Sequence, residues 1–266
     1  YNTAGNHYSN VAGGTYNTSA GFSSHVGGGN LNQAIGNCSN VAGGNINTAS
    51  GLQSNIAGGK LNYTGTNPAL SGAPDQPYPI GLSGHNAFIG GGESNQAIGN
   101  CSSVVGGLSG TASGRYSNVA GGYSNTASGN DSNVAGGGLN QACADYSNVA
   151  GGNYNIARGN YSSVVGGSFN SAIGGFSNVA GGESNQASGC FSNVAGGSGN
   201  TASGNSSNIA GGDSNCANGT RSAILGGTSN TVCAAHTDSF IIGSNLTSSA
   251  SATTFVNNLS AQGFVY

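Results

Sequence analysis

The chain has 266 residues, of which 52 are Gly and only 4% are charged, and it contains neither Trp nor Met. So few large side chains cannot fill the broad core of an ordinary globular domain, and a net charge of −3 is too low for a typical disordered chain. The few cations lie far apart in the sequence, which argues against binding nucleic acid through its phosphates. No apolar run reaches the roughly 18 residues of a membrane span, so we expect no membrane insertion.

A 15-residue repeat runs along almost the whole chain. It is marked by the Val or Ile that precedes each Gly-Gly or similar pair, and 12 of the 14 intervals between successive markers equal one period. The interval from Ile56 to Ile89 equals two periods plus three, and the interval from Ile224 to Ile241 equals one period plus two. The period predicts a solenoid of about 15 rungs, where a rung is one winding of the chain. The markers are Val11, Val26, Val41, Ile56, Ile89, Val104, Val119, Val134, Val149, Val164, Val179, Val194, Ile209, Ile224 and Ile241.

With the marker as position 1, a representative rung runs from Val119 to Asn133 and reads V-A-G-G-x-x-N-x-A-x-G-x-x-S-N. Because side chains alternate along a strand, positions 14, 1 and 3 are predicted to form one inward row, and positions 7, 9 and 11 the facing row. Each rung then has two short strands and two tight turns around a thin core. Stacked parallel rungs about 4.8 Å apart would give a rod on the order of 70 Å long. The inward Asn at position 7 is predicted to cap a turn or to form an amide ladder.

The motif Ser-Asn-Val-Ala-Gly-Gly-x-x-Asn-x-Ala-x-Gly resembles the head repeat of YadA-like trimeric autotransporter adhesins, and similar repeats occur in tail fibre proteins of phages and large viruses. The resemblance implies a left-handed parallel β-roll, three chains side by side, and adhesion to a host surface. This sequence departs from the adhesin pattern because its period is 15 rather than about 14 and Gly replaces the second core aliphatic residue.

A small apolar residue recurs at position 2, which points outward from the Val-bearing strand. Solvated faces usually carry charge, so a long uncharged strip predicts an interface between identical chains, with closed cyclic symmetry. A flat sheet face that simply suits Ala is the alternative. The predicted interface residues are Ala12, Ala42, Ala57, Ala120, Ala135, Ala150, Ala180, Ala195 and Ala210.

Two segments interrupt the repeat. Residues 62–86 contain all four prolines, which cannot donate to a ladder, and are predicted to form a projecting loop within a β-solenoid of residues 1–244. Solenoid insertions often bind partners, and the candidate contact residues are Tyr63, Asn67, Asp75 and Tyr78, although a passive bulge is the alternative. Residues 245–266 are predicted to lead into a stalk or a further domain.

The six cysteines are out of line or several rungs apart, which favours free thiols. Free thiols favour a virion fibre folded in a reducing cytosol over a bacterial surface protein exported through an oxidising compartment. No Cys-x-x-Cys pair, calcium-roll Asp or catalytic combination is evident, so we expect no cofactor, no metal site and no enzymatic activity.

The sequence thus favours a structural and binding segment of a trimeric fibre or adhesin, located on the extracellular face of a virion or bacterial cell. Its partners would be further copies of itself and a protein or glycan receptor. Exposed aromatic residues at position 13, such as Tyr161 and Phe176, could stack on sugars or simply on each other. The alternatives are an ice-binding β-roll, suggested by outward pairs such as Thr126 and Ser128, and a self-assembling extracellular filament.

Overall fold

The protein is an all-β parallel solenoid of about 16 turns, as the repeat predicts. The computed structural model describes residues 1–65 and 84–257. These residues contain no helix, and so none that could cross a membrane. The chain divides into two compact units, Tyr1–Asn153 and Tyr154–Tyr266.

The described residues of the N-terminal unit form eighteen strands of two residues each. Odd-numbered strands carry position 9, which is Ala except at Ser19 and Thr64, and pair in one ladder, the Ala sheet. Even-numbered strands carry the position-1 Val or Ile and pair in the other ladder, the Val sheet. The strands are β1 (Thr3–Ala4), β2 (Asn10–Val11), β3 (Thr18–Ser19), β4 (His25–Val26), β5 (Gln33–Ala34), β6 (Asn40–Val41), β7 (Thr48–Ala49), β8 (Asn55–Ile56), β9 (Tyr63–Thr64), β10 (Phe88–Ile89), β11 (Gln96–Ala97), β12 (Ser103–Val104), β13 (Thr111–Ala112), β14 (Asn118–Val119), β15 (Thr126–Ala127), β16 (Asn133–Val134), β17 (Gln141–Ala142) and β18 (Asn148–Val149).

The C-terminal unit repeats this arrangement. Its odd-numbered strands up to β29 form an Ala sheet, and its even-numbered strands together with β31 form a Val sheet. The strands are β19 (Ile156–Ala157), β20 (Ser163–Val164), β21 (Ser171–Ala172), β22 (Asn178–Val179), β23 (Gln186–Ala187), β24 (Asn193–Val194), β25 (Thr201–Ala202), β26 (Asn208–Ile209), β27 (Cys216–Ala217), β28 (Ala223–Ile224), β29 (Thr231–Val232), β30 (Phe240–Ile242) and β31 (Thr254–Val256).

The strands stack in register. In the N-terminal unit Val119 pairs with Val134, and in the C-terminal unit Ala172 pairs with Ala187, each partner lying one period further along the chain. Backbone N–H groups donate to the next rung, as Ala120 N–H does to the Val134 carbonyl at 3.0 Å. The ladder therefore satisfies the backbone of strands that are too short to be stable alone.

In most rungs the core has one aliphatic side chain facing one Ala. Val119 and Ala127 are fully buried, as is the position-7 residue Asn125, and the position-14 residue Ser117 is 1% exposed. The prediction for position 3 is wrong: a side chain built on Gly121 would meet no atom within 4 Å. The strand ends at position 1, so the alternation assumed from the sequence does not extend into the turn.

Contacts between rungs, rather than a thin core, account for two of the glycines. At position 11, a Cβ on Gly174 would overlap the carbonyl oxygen of Gly189 in the next rung. At position 4, Gly182 has a φ of +87° and a Cβ there would overlap the Gly197 carbonyl oxygen. Only glycine fits where the chain approaches a neighbouring backbone this closely, because any Cβ would overlap that backbone.

The long interval from Ile56 to Ile89 is one rung with an insertion, not two rungs plus three residues. Strand β10 pairs directly with β8, and Ile89 lies opposite Ile56. A Cβ built on Gly84 would overlap Gly65 Cα, so the two described residues that flank 66–83 lie side by side. The predicted loop boundaries, 62 and 86, are therefore too wide, because Asn62–Gly65 and Gly84–Asn86 belong to the rung.

The solenoid also extends beyond residue 244. Strand β31 pairs in parallel with β30, and Phe255 lies opposite Ile241. Residues 245–257 thus include a further winding of the coil rather than only a segment leaving it.

Candidate interaction surfaces

The buried Asn at position 7 is fully engaged by the backbone. The Nδ2 group of Asn185 donates to the carbonyl oxygens of Gly181 at 2.9 Å and Gly197 at 2.8 Å. Its N–H donates to Asn170 Oδ1, and its own Oδ1 accepts from Asn200 N–H, both at 3.0 Å. The residue caps the turn and joins three rungs, so its polar atoms are not available to a ligand.

The outward face of the Val sheet is formed by positions 15 and 2, on either side of the buried position 1. All nine alanines of the predicted interface are exposed there: Ala12, Ala42, Ala57, Ala120, Ala135 and Ala150 in the N-terminal unit, and Ala180, Ala195 and Ala210 in the C-terminal unit. Beside them, position-15 amides form ladders, with Asn118 donating to Asn133 and Asn178 donating to Asn193, both at 2.9 Å. The face therefore combines exposed alanines with amide ladders and carries no Asp, Glu, Lys or Arg at positions 15 and 2.

Larger apolar side chains than the predicted alanines also lie at position 2 of this face. Val105 and Val165 are each 52% exposed and Leu225 is 53% exposed, all at position 2. The sequence also marks these three sites, because the residue two positions earlier is Ser103, Ser163 or Ala223 instead of the usual Asn.

Of the four candidate loop residues, the structure describes one. Tyr63 lies in β9 rather than in a loop, with its hydroxyl 2.8 Å from Ser50 Oγ. Burial raises the pKa of Tyr63 to about 12, and the hydrogen bond to Ser50 acts in the opposite direction. Asn67, Asp75 and Tyr78 lie outside the described residues, and their predicted role as contacts stays a prediction.

Aromatic side chains form columns along the edges of the C-terminal unit. At position 13, the rings of Tyr161 and Phe176 are stacked at 4.8 Å, and those of Phe176 and Phe191 at 4.9 Å. Tyr154 and Phe169 stack in the same way at position 6, at 4.9 Å. Stacking covers the ring faces that a sugar would use, so ring-on-ring stacking is the plainer account of these columns.

Titratable side chains are dispersed over the surface. Lys60 pairs with Glu93 at 2.9 Å, and Arg221 pairs with Asp238 at 2.6 Å, both between adjacent rungs. Hydrogen bonding to Arg221 lowers the pKa of Asp238, and the same contact raises the pKa of Arg221. Within residues 1–65 and 84–257 there is no group of three or more His, Cys, Asp or Glu side chains that could hold a metal ion, and all six cysteines are free.

One nucleophile and base pair, which the sequence reasoning did not find, lies near the C-terminal end of the coil. His236 Nδ1 is 2.7 Å from Ser248 Oγ, which also accepts from Cys233 N–H at 2.9 Å. Ser248 is only 3% exposed. Its hydroxyl is therefore out of reach of a substrate and links the windings on either side.

No protein-family model matches the chain, and a search of curated proteins finds no match.

Proposed function

We propose that this chain is a structural and binding segment of a homotrimeric fibre or adhesin that presents loops and flanking domains to a host-surface receptor, which is a protein or a glycan. The observation that carries the proposal is the outward face of the Val sheet. It exposes Ala or a larger apolar residue in nearly every rung and carries no Asp, Glu, Lys or Arg at positions 15 and 2. A long uncharged apolar face marks an interface, and identical faces on identical chains favour closed symmetry.

The experiment is a measurement of mass in solution by native mass spectrometry and analytical ultracentrifugation. We expect a trimer for the wild type and dissociation for Ala135→Glu, because a carboxylate would be desolvated in the interface. Ser128→Glu is the matched control, since Ser128 is exposed on the outer face of the Ala sheet in the preceding rung, and it should remain trimeric. A wild type that is monomeric at all concentrations would remove the support for a fibre.

Ice binding is the second candidate. In the Ala sheet Thr111 pairs in register with Thr126, which gives two adjacent rungs with outward Thr and Ser. The next residue in that ladder is Gln141, so the regular array is short. Thermal hysteresis of the purified protein, compared with Thr126→Val, tests this candidate, and we expect none.

A further inference from the structure

The two outward positions of the Val sheet vary inversely in size. Most rungs pair Asn at position 15 with Ala at position 2, as in Asn118 and Ala120. Where position 2 is larger, position 15 is smaller: Ser103 accompanies Val105, and Ala223 accompanies Leu225. Where position 15 is larger, position 2 is Gly, in the pairs His25 with Gly27 and Phe88 with Gly90. The combined bulk of each pair is thus kept within a narrow range.

The structure shows why the two positions share one area of surface. Both lie on the outer side of the sheet, and a Cβ built on Gly90 would lie 3.5 Å from Phe88 Cε1. The Phe88 side chain at position 15 therefore leans over the position-2 residue that follows it in the same strand region. Gly27 and Gly90 have a backbone reason as well, because a Cβ there would overlap the carbonyl oxygen of Ala42 or Val105. The rungs with Val and Leu at position 2 have no such constraint, so backbone spacing does not account for their small position-15 residues.

Crowding within one chain does not by itself force this inverse relation, because Phe240 and Ile242 are both large. Val105, Val165 and Leu225 are about half exposed, so the described part of their own chain leaves them uncovered. A constant combined size is what a packed interior or interface requires, since a cavity or an overpacked contact each lowers stability.

The outer face of the Ala sheet provides an internal comparison. Its two outward positions, 8 and 10, show no inverse relation: Ile156 and Arg158 are both large, whereas Thr126 and Ser128 are both small. The size rule is therefore a property of the Val face and not of the solenoid fold.

We propose that the outer face of the Val sheet is a packed interface against another copy of this chain, in which each position-15 and position-2 pair is matched to a constant gap. This inference rests on the proposed function, which supplies the assembly, and adds the residues that set its packing. The partner is another copy because the pairs recur at the period of the repeat from Asn10 to Leu225, so the apposed surface must have the same axial spacing. These positions carry no Asp, Glu, Lys or Arg, so two identical surfaces could pack together without repulsion between like charges.

The rule fails in one place, at Phe240 and Ile242, which are 44% and 49% exposed. Both residues are large, and they lie one winding before β31. The interface accordingly ends before this rung.

A double-mutant cycle tests the proposal, using the wild type, Ala180→Val, Asn178→Ser and the two changes combined. The combination reproduces the natural pair Ser163 and Val165. We expect Ala180→Val to raise the concentration at which the assembly dissociates by about tenfold through overpacking. The double variant should recover most of that loss. Ser188→Val, which places the same side chain on the outer face of the Ala sheet, should leave assembly unchanged.

The possible failures are distinguishable. A wild-type assembly that tolerates Ala180→Val as well as the double variant would overturn the size rule and leave the proposed fibre intact. A wild type that stays monomeric would overturn both. Far-UV circular dichroism of each variant monitors the fold, which we expect to be unaffected because Ala180 is exposed.

Discussion

Asn185 illustrates how a polar side chain holds the centre of a rung. It is 1% exposed, and its four hydrogen bonds reach the rungs before and after its own. A buried polar group is stabilising only when its partners are present. The Asn at position 7 therefore fixes the spacing and register of neighbouring rungs, a role that the single Val and Ala of the core cannot fill.

Asn185→Ala should strongly destabilise the protein. The change leaves the Gly181 carbonyl and the Asn200 N–H without their partner, at about 1–3 kcal/mol for each unsatisfied group. It also removes one of two hydrogen bonds to the Gly197 carbonyl, which still accepts from Glu183 N–H. Denaturant unfolding measures the loss. The control is Asn205→Ala, since Asn205 is exposed and its side chain accepts one hydrogen bond, from Cys190 N–H. Equal losses in the two variants would contradict the role given to position 7.

The raised pKa of Tyr63 leads us to expect that the protein becomes less stable as the pH rises into the alkaline range. Burial raises its pKa to about 12 in the folded protein, from an ordinary value of 10.0. Below pH 10 the phenol of Tyr63 stays protonated in both the folded and the unfolded states, so its contribution to the free energy of unfolding is fully present. Between about pH 10 and 12 the unfolded state ionises first, and the free energy of unfolding should fall.

The measurement is the thermal midpoint from pH 8 to 11.5 for the wild type and for Tyr63→Phe. The variant lacks the titrating hydroxyl and also the contact with Ser50, so its midpoint should start lower and decline less steeply above pH 10. If the thermal midpoints of the two proteins fell in parallel above pH 10, Tyr63 would not be the cause of the alkaline loss of stability.

At the scale of the strand and turn, the close approach of successive rungs determines which residues are allowed. Every strand up to β29 has only two residues, so the turns carry most of each winding. Positions 6 and 13 have positive φ even when they are aromatic, as at Phe169 and Phe176, both with φ of 57°. Such a backbone is unfavourable for a bulky residue, and stacking with the neighbouring rungs offsets part of that cost.

Two adjacent glycines provide a matched test of rung spacing. In Gly174→Ala the new methyl group would overlap the Gly189 carbonyl oxygen, and the ladder would have to separate. In Gly175→Ala the methyl group would lie 3.8 Å from Cys190 Sγ, an ordinary contact. We expect the first variant to lose about 3 kcal/mol or more and the second to change by less than about 1 kcal/mol in urea unfolding. Similar losses would mean that the rungs can move apart at little cost.

For the whole molecule, the sequence was sufficient to predict the parallel coil, its period and the facing Val and Ala rows, because these depend on a pattern within one rung. It was insufficient where the determinant lies between rungs. The glycine at position 11 was assigned to a thin core, whereas Gly174 is required by the backbone of Gly189. The interval from Ile56 to Ile89 was misread because its length is close to two periods, and only the pairing of these two residues reveals a single rung.

The sequence alone describes only part of the proposed interface. The exposed alanines were predicted, but the relation between positions 15 and 2 concerns two side chains that share one area of surface. The structure supplies the physical reason for that relation, because Phe88 leans over Gly90. The receptor-binding role of residues 66–83 stays a prediction, and it leads to the following test at the scale of the whole chain.

Removing residues 66–83 should leave the solenoid intact. The deletion joins Gly65 to Gly84, which already lie side by side, and it shortens the interval from Ile56 to Ile89 to a single period. Closing a loop of this length contributes little to stability, so the thermal midpoint should shift by no more than a few degrees. Deleting residues 111–128 removes the same length of chain but joins position 7 of one rung to position 11 of another, and should unfold the coil around the join.

If residues 66–83 contact the receptor, their deletion abolishes binding to the receptor-bearing surface while trimer mass and circular dichroism are retained. A loss of stability equal to that of the second deletion would instead show that residues 66–83 are part of what holds the rungs together.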